Sequence, residues 1–130
     1  MAQGRILLAE PDPDISHMLQ LYLETADHEV NIVANAHEVL PTARSWQPNA
    51  LVLSSEFEDE DPLQLCRALI EDALTGHIPI IFLLHIDDRR LKLNILELGV
   101  DDIITKPFDI EELKLRIEAA IRLASLQVQV

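Results

Sequence analysis

Four short stretches of this 130-residue chain gather side chains able to do chemistry. Glu10 and Asp12 place two carboxylates two residues apart. Ser54 offers a hydroxyl, with Ser55 and Glu56 just beyond it. His85 follows the apolar Leu84, and Lys106 stands between Thr105 and Pro107. Hard cations such as magnesium and calcium take oxygen ligands, which makes Glu10, Asp12 and Glu56 the residual metal candidates. An ammonium such as that of Lys106 holds anionic oxygens as a point charge. A serine hydroxyl is a poor nucleophile until a neighbouring base removes its proton. A small enzyme built on Glu10, Ser54 and Lys106 is therefore an incomplete reading. The chain has no glycine-rich phosphate loop, no G-x-S-x-G elbow and no metal-ligand cluster.

The remaining reactive side chains read more simply. The five histidines (His17, His28, His37, His77 and His85) show no metal-ligand spacing, and His85 reads as a loop residue near the strand ends. Cys66 lies on an apolar helical stripe and reads as core packing. Glu56 to Asp61 carries five acids in six residues. It reads as a solvated loop. The sharper alternatives are a docking surface for a basic partner, with Phe57 as an exposed anchor, or a cation site.

These residues need elements to hold them, and the chain supplies five strand–helix units. Ile6–Ala9, Val30–Val33, Ala50–Ser54, Ile78–Leu84 and a short stretch around Asp102–Thr105 are the expected strands. Their continuous apolar character suits strands covered on both faces. Asp12-Pro13 and Asp61-Pro62 each read as a helix cap followed by proline at the first helical position. Asn35 with Glu38, and Asp109 with Glu112, have capping-box spacing. Pro41 is expected to kink or shorten the second helix. The fourth helix runs from about Asp88, and Gly99 ends it in a left-handed cap. Alternation of strands and helices implies an α/β fold with a doubly wound parallel sheet. In such sheets the functional crevice lies at the carboxyl ends of the strands, where the four reactive stretches fall.

Composition narrows the function. Ten Lys+Arg against 23 Asp+Glu leave a net charge of −13. So acidic a surface repels nucleic-acid backbones and anionic lipid, so neither is an expected direct partner. One cysteine excludes an internal disulfide and fits a reducing, cytoplasmic setting. No signal peptide is legible in Met1–Leu8, and no run approaches the roughly 18–20 apolar residues of a spanning helix. One domain is expected over residues 1–124, with 125–130 as a helix end or linker stub.

With these residues in view the sequence resembles the receiver domain of two-component response regulators, the CheY-like family. The resemblance covers essentially the whole chain. It is strongest at Arg5–Ile15 and at Gly99–Phe108, where Lys106-Pro107-Phe108 follows Gly-Val-Asp-Asp. Pro48–Leu53 and Leu65-Cys66-Arg67 fit as well. It implies a flavodoxin-like (βα)5 sandwich with strand order 2-1-3-4-5. It also implies phosphoryl transfer from a kinase histidine to an aspartate ending the third strand, with a divalent cation held by an acidic pair.

Carried over position by position, the resemblance leaves that chemistry incomplete. Glu10 occupies the first acidic position and Lys106 the lysine position. Pro11 stands at the second acid, Ser54 at the phosphoacceptor, Leu84 at the switch hydroxyl and Ile103 at the switch aromatic. Glu58-Asp59 replaces the usual Pro-Gly pair. The expectation is a degenerate receiver with weak or absent magnesium binding and Glu10, with Asp12, facing Lys106. Its partners would be a sensor histidine kinase or an output domain, or a second copy through the face of the fourth helix, fifth strand and fifth helix. The alternative is a switch phosphorylated at Ser54, Ser55 or an acid such as Asp12 or Glu56.

Overall fold

The computed structural model describes residues 4–85 and 88–128. The opening residues of Met1–Leu8, Ile86 and Asp87 after the fourth strand, and the last two residues of the 125–130 segment lie outside this description. Five parallel strands, β1 (Arg5–Ala9), β2 (Glu29–Val33), β3 (Ala50–Ser54), β4 (Ile80–His85) and β5 (Asp102–Lys106), form one sheet in the order β2-β1-β3-β4-β5. The helices are α1 (Pro13–Thr25), α2 (Val39–Trp46), α3 (Pro62–Glu71), α4 (Arg89–Leu98) and α5 (Ile110–Val128). A 3-10 turn, Ala36–Glu38, precedes α2. This is the doubly wound order expected from the sequence.

Side chains alternate across each strand, so every strand feeds two cores. Leu7, Leu51, Leu53, Phe82 and Leu84 join the layer under α2, α3 and α4. Ile6, Leu8, Val52, Ile81 and Leu83 join the layer under α1 and α5. All five residues of β3 are buried, which is why its sequence reads as an unbroken apolar run. Each fully buried leucine contributes about 1.5–3 kcal/mol relative to exposure.

Capping places the helices at the strand ends. The Asp12 carboxylate accepts from the Asp14 amide at 2.9 Å, and that of Asp61 from Leu63 at 2.9 Å, each with proline next in sequence. Asp88 caps α4, and Gly99 ends it at φ 83°. Asp109 accepts from the amides of Glu111 and Glu112, while the Glu112 side chain turns away to Arg116. The cap forms there without the box.

Three expectations about local structure change. β4 begins at Ile80, not Ile78: Pro79 has no N–H to give a ladder, and the Ile78 amide is spent on Thr75 O at 3.0 Å. Asn35 makes no side-chain cap. Its place is taken by Asp59, whose two carboxylate oxygens each accept one amide, from Ala36 and from His37, at 3.1 Å. A full negative charge suits a helix start better than a neutral amide oxygen. Phe57 is not an exposed anchor: it is 7% exposed and packs into the core. Its large apolar ring gains more from burial than its acidic neighbours lose by framing it. Pro41 falls in the first turn of α2, where its missing N–H breaks no helical bond, and α2 is only eight residues long.

Candidate functional site

The carboxyl ends of β1, β3 and β5 bring Glu10, Ser54 and Lys106 into contact. Lys106 is the last residue of β5, and its ammonium, with the side chain 11% exposed, points back across the sheet end. It donates to Glu10 Oε1 at 2.7 Å, to Glu56 Oε2 at 2.5 Å and to Ser54 Oγ at 3.3 Å. Glu10 is wholly buried in its side chain. Its second oxygen accepts from the Asp12 amide at 3.0 Å, and its backbone N–H is held by Val33 O at 3.2 Å. Both carboxylate oxygens of Glu10 therefore already have protein donors. The peptide bond between Lys106 and Pro107 is cis.

Ser54 is fully buried. Its hydroxyl oxygen accepts from Lys106 and, at 3.2 Å, from the backbone N–H of Glu56. Among the described residues these are its partners, and neither is a base able to take its proton. The neighbouring Ser55 serves the scaffold: its amide donates to Leu83 O and its hydroxyl accepts from the His85 amide at 3.3 Å. His85 closes β4 in register with Lys106 and is exposed.

Asp12 sits at the same rim, but its carboxylate is occupied as the α1 cap and Lys106 takes Glu56 instead. The pocket thus holds two carboxylates around one ammonium. A cleft of about 440 Å³ opens beside it, lined by Asp12, Ile15, Met18, His85 and Phe108 as well as Glu56 and Lys106. Leu84 is 2% exposed and pairs in register with Thr105. Ile103, on the same face, packs half-buried against the same core. Apolar side chains thus stand at both positions that the resemblance assigns to a switch.

The acidic loop is largely employed by the fold. Glu56 holds Lys106, Asp61 caps α3, and Asp59 caps the 3-10 turn while pairing with His37 Nδ1 at 3.0 Å. That hydrogen bond raises the His37 pKa and pulls the Asp59 carboxyl down to about 2. Among the described residues no group of three or more His, Cys, Asp or Glu is placed to hold a metal ion. Glu56 as a lysine partner and Asp59 as a remote cap were not legible from spacing, because each meets its partner across the fold. Trp46 lies over Arg5, 5.5 Å from ring centroid to guanidinium, at the end of the sheet opposite Lys106.

A fold in this strand order with lysine and acid at these strand ends defines a signalling receiver. The profile of the response regulator receiver domain matches residues 6–118, and the chain belongs to that family. It is 31% identical over 118 residues to the DNA-binding dual master transcriptional regulator RpaA of Synechocystis sp., covering 91% of this chain and 49% of that protein. The transcriptional regulatory protein GltR of Pseudomonas aeruginosa is 34% identical over 124 residues, covering 95% of this chain and 51% of GltR. The chain thus spans about half the length of these relatives. Among solved structures, a sensor protein from Polaromonas sp. JS666 is 30% identical with a TM-score of 0.85, covering 94% of this chain and 98% of that one. The signal receiver domain of a signal transduction histidine kinase from Syntrophus aciditrophicus is 28% identical with a TM-score of 0.84, covering 92% and 90%.

Proposed function

We propose that this receiver signals by protein contact in its unmodified state, without accepting a phosphoryl group on an aspartate. One observation carries the reading: the hydroxyl of Ser54 stands where the resemblance places the acceptor, and it faces an ammonium already held by Glu10 and Glu56. A protonated hydroxyl with no base cannot attack an anionic phosphoryl group at a useful rate. A divalent cation would have to displace existing donors from Glu10 and would find Pro11 at the second acidic position. Lys106 already neutralises part of the charge that would attract it, so magnesium binding is weak or absent.

Leu84 and Ile103 support the same reading at the switch positions. With no hydroxyl to follow a phosphoryl group, and with Leu84 buried, the face of α4, β5 and α5 stays in one arrangement. Leu93 and Leu96 of α4 and Leu115 of α5 are exposed. A sensor kinase, an output domain and a second copy are the occupants that the family resemblance offers. The transcriptional relatives make a DNA-binding output elsewhere in a longer protein one form this could take.

The test is a magnesium and beryllofluoride titration followed by thermal melting and by amide chemical shifts of the Glu10, Ser54 and Lys106 region. No shift in Tm and no movement of those resonances is expected. A saturable, magnesium-dependent rise in Tm would overturn the reading. Trp46 fluorescence is a poor reporter, since the indole stands at the far end of the sheet.

A further inference from the structure

A cleft of about 610 Å³ runs between α2 and α3. His37, Leu40, Pro41 and Arg44 line one wall, and Asp61, Gln64, Leu65 and Ala68 line the other. Each set is spaced i, i+3, i+4, i+7, so each wall is one helical face turned toward its neighbour. Leu40, Pro41, Leu65 and Ala68 make the floor apolar. Ala68, with Ala36 at the opening turn, is too small to fill it. The two ends of the cleft differ. Both helices begin at the β3–α3 loop, where Asp59 holds the amides of Ala36 and His37 and Asp61 caps α3. They finish together where Arg44 Nε donates to Asp72 at 2.8 Å.

The loop at the first end is fixed from within. Glu56 holds Lys106, Phe57 is buried in the core, and Asp59 and Asp61 are spent as caps. Glu58 and Glu60 alternate with these anchors. Both are exposed, and neither makes a side-chain hydrogen bond or ion pair with a described residue. The loop thus presents two unspent carboxylates at one end of an apolar floor, on a backbone that is already held. We infer that the α2–α3 cleft docks an apolar segment of a partner protein that carries lysine or arginine at one end. The inference deepens the reading of a receiver that signals unmodified by protein contact, and it rests on that reading.

Charge and shape together select that occupant. A second copy docking by two-fold symmetry about the cleft would set Glu58 and Glu60 against themselves. A nucleic acid or an acidic segment would meet the loop carboxylates on a chain already at −13. A bare polyamine would leave Leu40, Pro41 and Ala68 uncovered. A segment with leucines behind a cationic end covers the floor, reaches Glu58 and Glu60, and leaves the Arg44–Asp72 pair in place. Because the loop is held before the partner arrives, little is lost in ordering it.

The experiment uses a fluorescein-labelled peptide of about 15 residues, with leucines on one helical face and lysines gathered at one end. Binding is read by anisotropy near 0.15 M salt, where the Debye length is about 8 Å. Untreated protein should bind it. The variant E58K/E60K should lose roughly tenfold or more in affinity, because long-range attraction to the whole acidic chain is screened at that salt and the local carboxylates decide. The control E24K/E29K makes the same change in net charge at two exposed acids outside the cleft, and it should bind as wild type does. Ala68→Phe, which fills the floor, should lose about fivefold or more with wild-type circular dichroism. If Ala68→Phe unfolds, E58K/E60K and its control decide the matter, since they change only exposed side chains. The inference is overturned by absent peptide binding, by equal losses in E58K/E60K and E24K/E29K, by equal binding of a leucine-free polylysine, or by wild-type self-association that E58K/E60K abolishes. Peptide binding that appears only after acetyl phosphate treatment would instead overturn the unmodified-state reading.

Discussion

At the scale of single residues the pocket is an ion pair and its setting. The side chain of Glu10 is fully buried and that of Lys106 nearly so, so removing one charge strands the other. Lys106→Ala should lower stability by about 3–5 kcal/mol, measured by urea unfolding, because breaking a buried pair leaves an uncompensated carboxylate. A loss below about 1 kcal/mol would mean that the pair is hydrated and the pocket looser than described. Ser54→Asp combined with Pro11→Asp should create a magnesium-dependent rise in Tm that wild type lacks, since it rebuilds an acidic set around Lys106. Cys66 is buried, and burial pushes its thiol up to about 11, with the Asp101 charge adding to the effect. A thiol reagent should leave it untouched in native protein and modify it fully in denaturant.

Elements are tied together by charges that the sequence order hides. The His37–Asp59 pair joins the β3–α3 loop to the start of the 3-10 turn. His37 is raised above 6.5 in the fold, so its contribution to stability is complete below 6.5 and fades as pH rises through the raised value. Asp59 is lowered from 3.8 to about 2, so its contribution is complete above 3.8 and fades as pH falls toward 2. The Tm gap between wild type and His37→Asn should therefore narrow above pH 6.5, and the gap to Asp59→Asn should narrow below pH 3.8. A His37→Asn gap that stays constant from pH 6 to 9 would contradict this pairing. Strand and helix order was legible because caps and prolines punctuate the chain: Asp12-Pro13 and Asp61-Pro62 mark helix starts by local chemistry alone. Asn35 misled because its competitor, Asp59, which lies 23 residues from Ala36, enters only through the fold. Phe57 misled because its neighbours in sequence are acids while its neighbours in space are core residues.

The molecule as a whole has the receiver's scaffold, with Glu10, Glu56 and Lys106 meeting at its strand ends. Both core layers, the strand order and the positions of Glu10 and Lys106 follow from apolar patterning and a short motif that survive in the sequence. The partners of Lys106 do not, because a carboxylate two residues past Ser54 reaches it only when β3 and β5 end at the same rim. The most direct test is intact-mass spectrometry of the protein incubated with acetyl phosphate and magnesium. The account predicts an unchanged mass under conditions that phosphorylate an ordinary receiver run alongside. A mass gain of one phosphoryl group that hydroxylamine removes would contradict it, because that lability belongs to an acyl phosphate on a carboxylate of this chain.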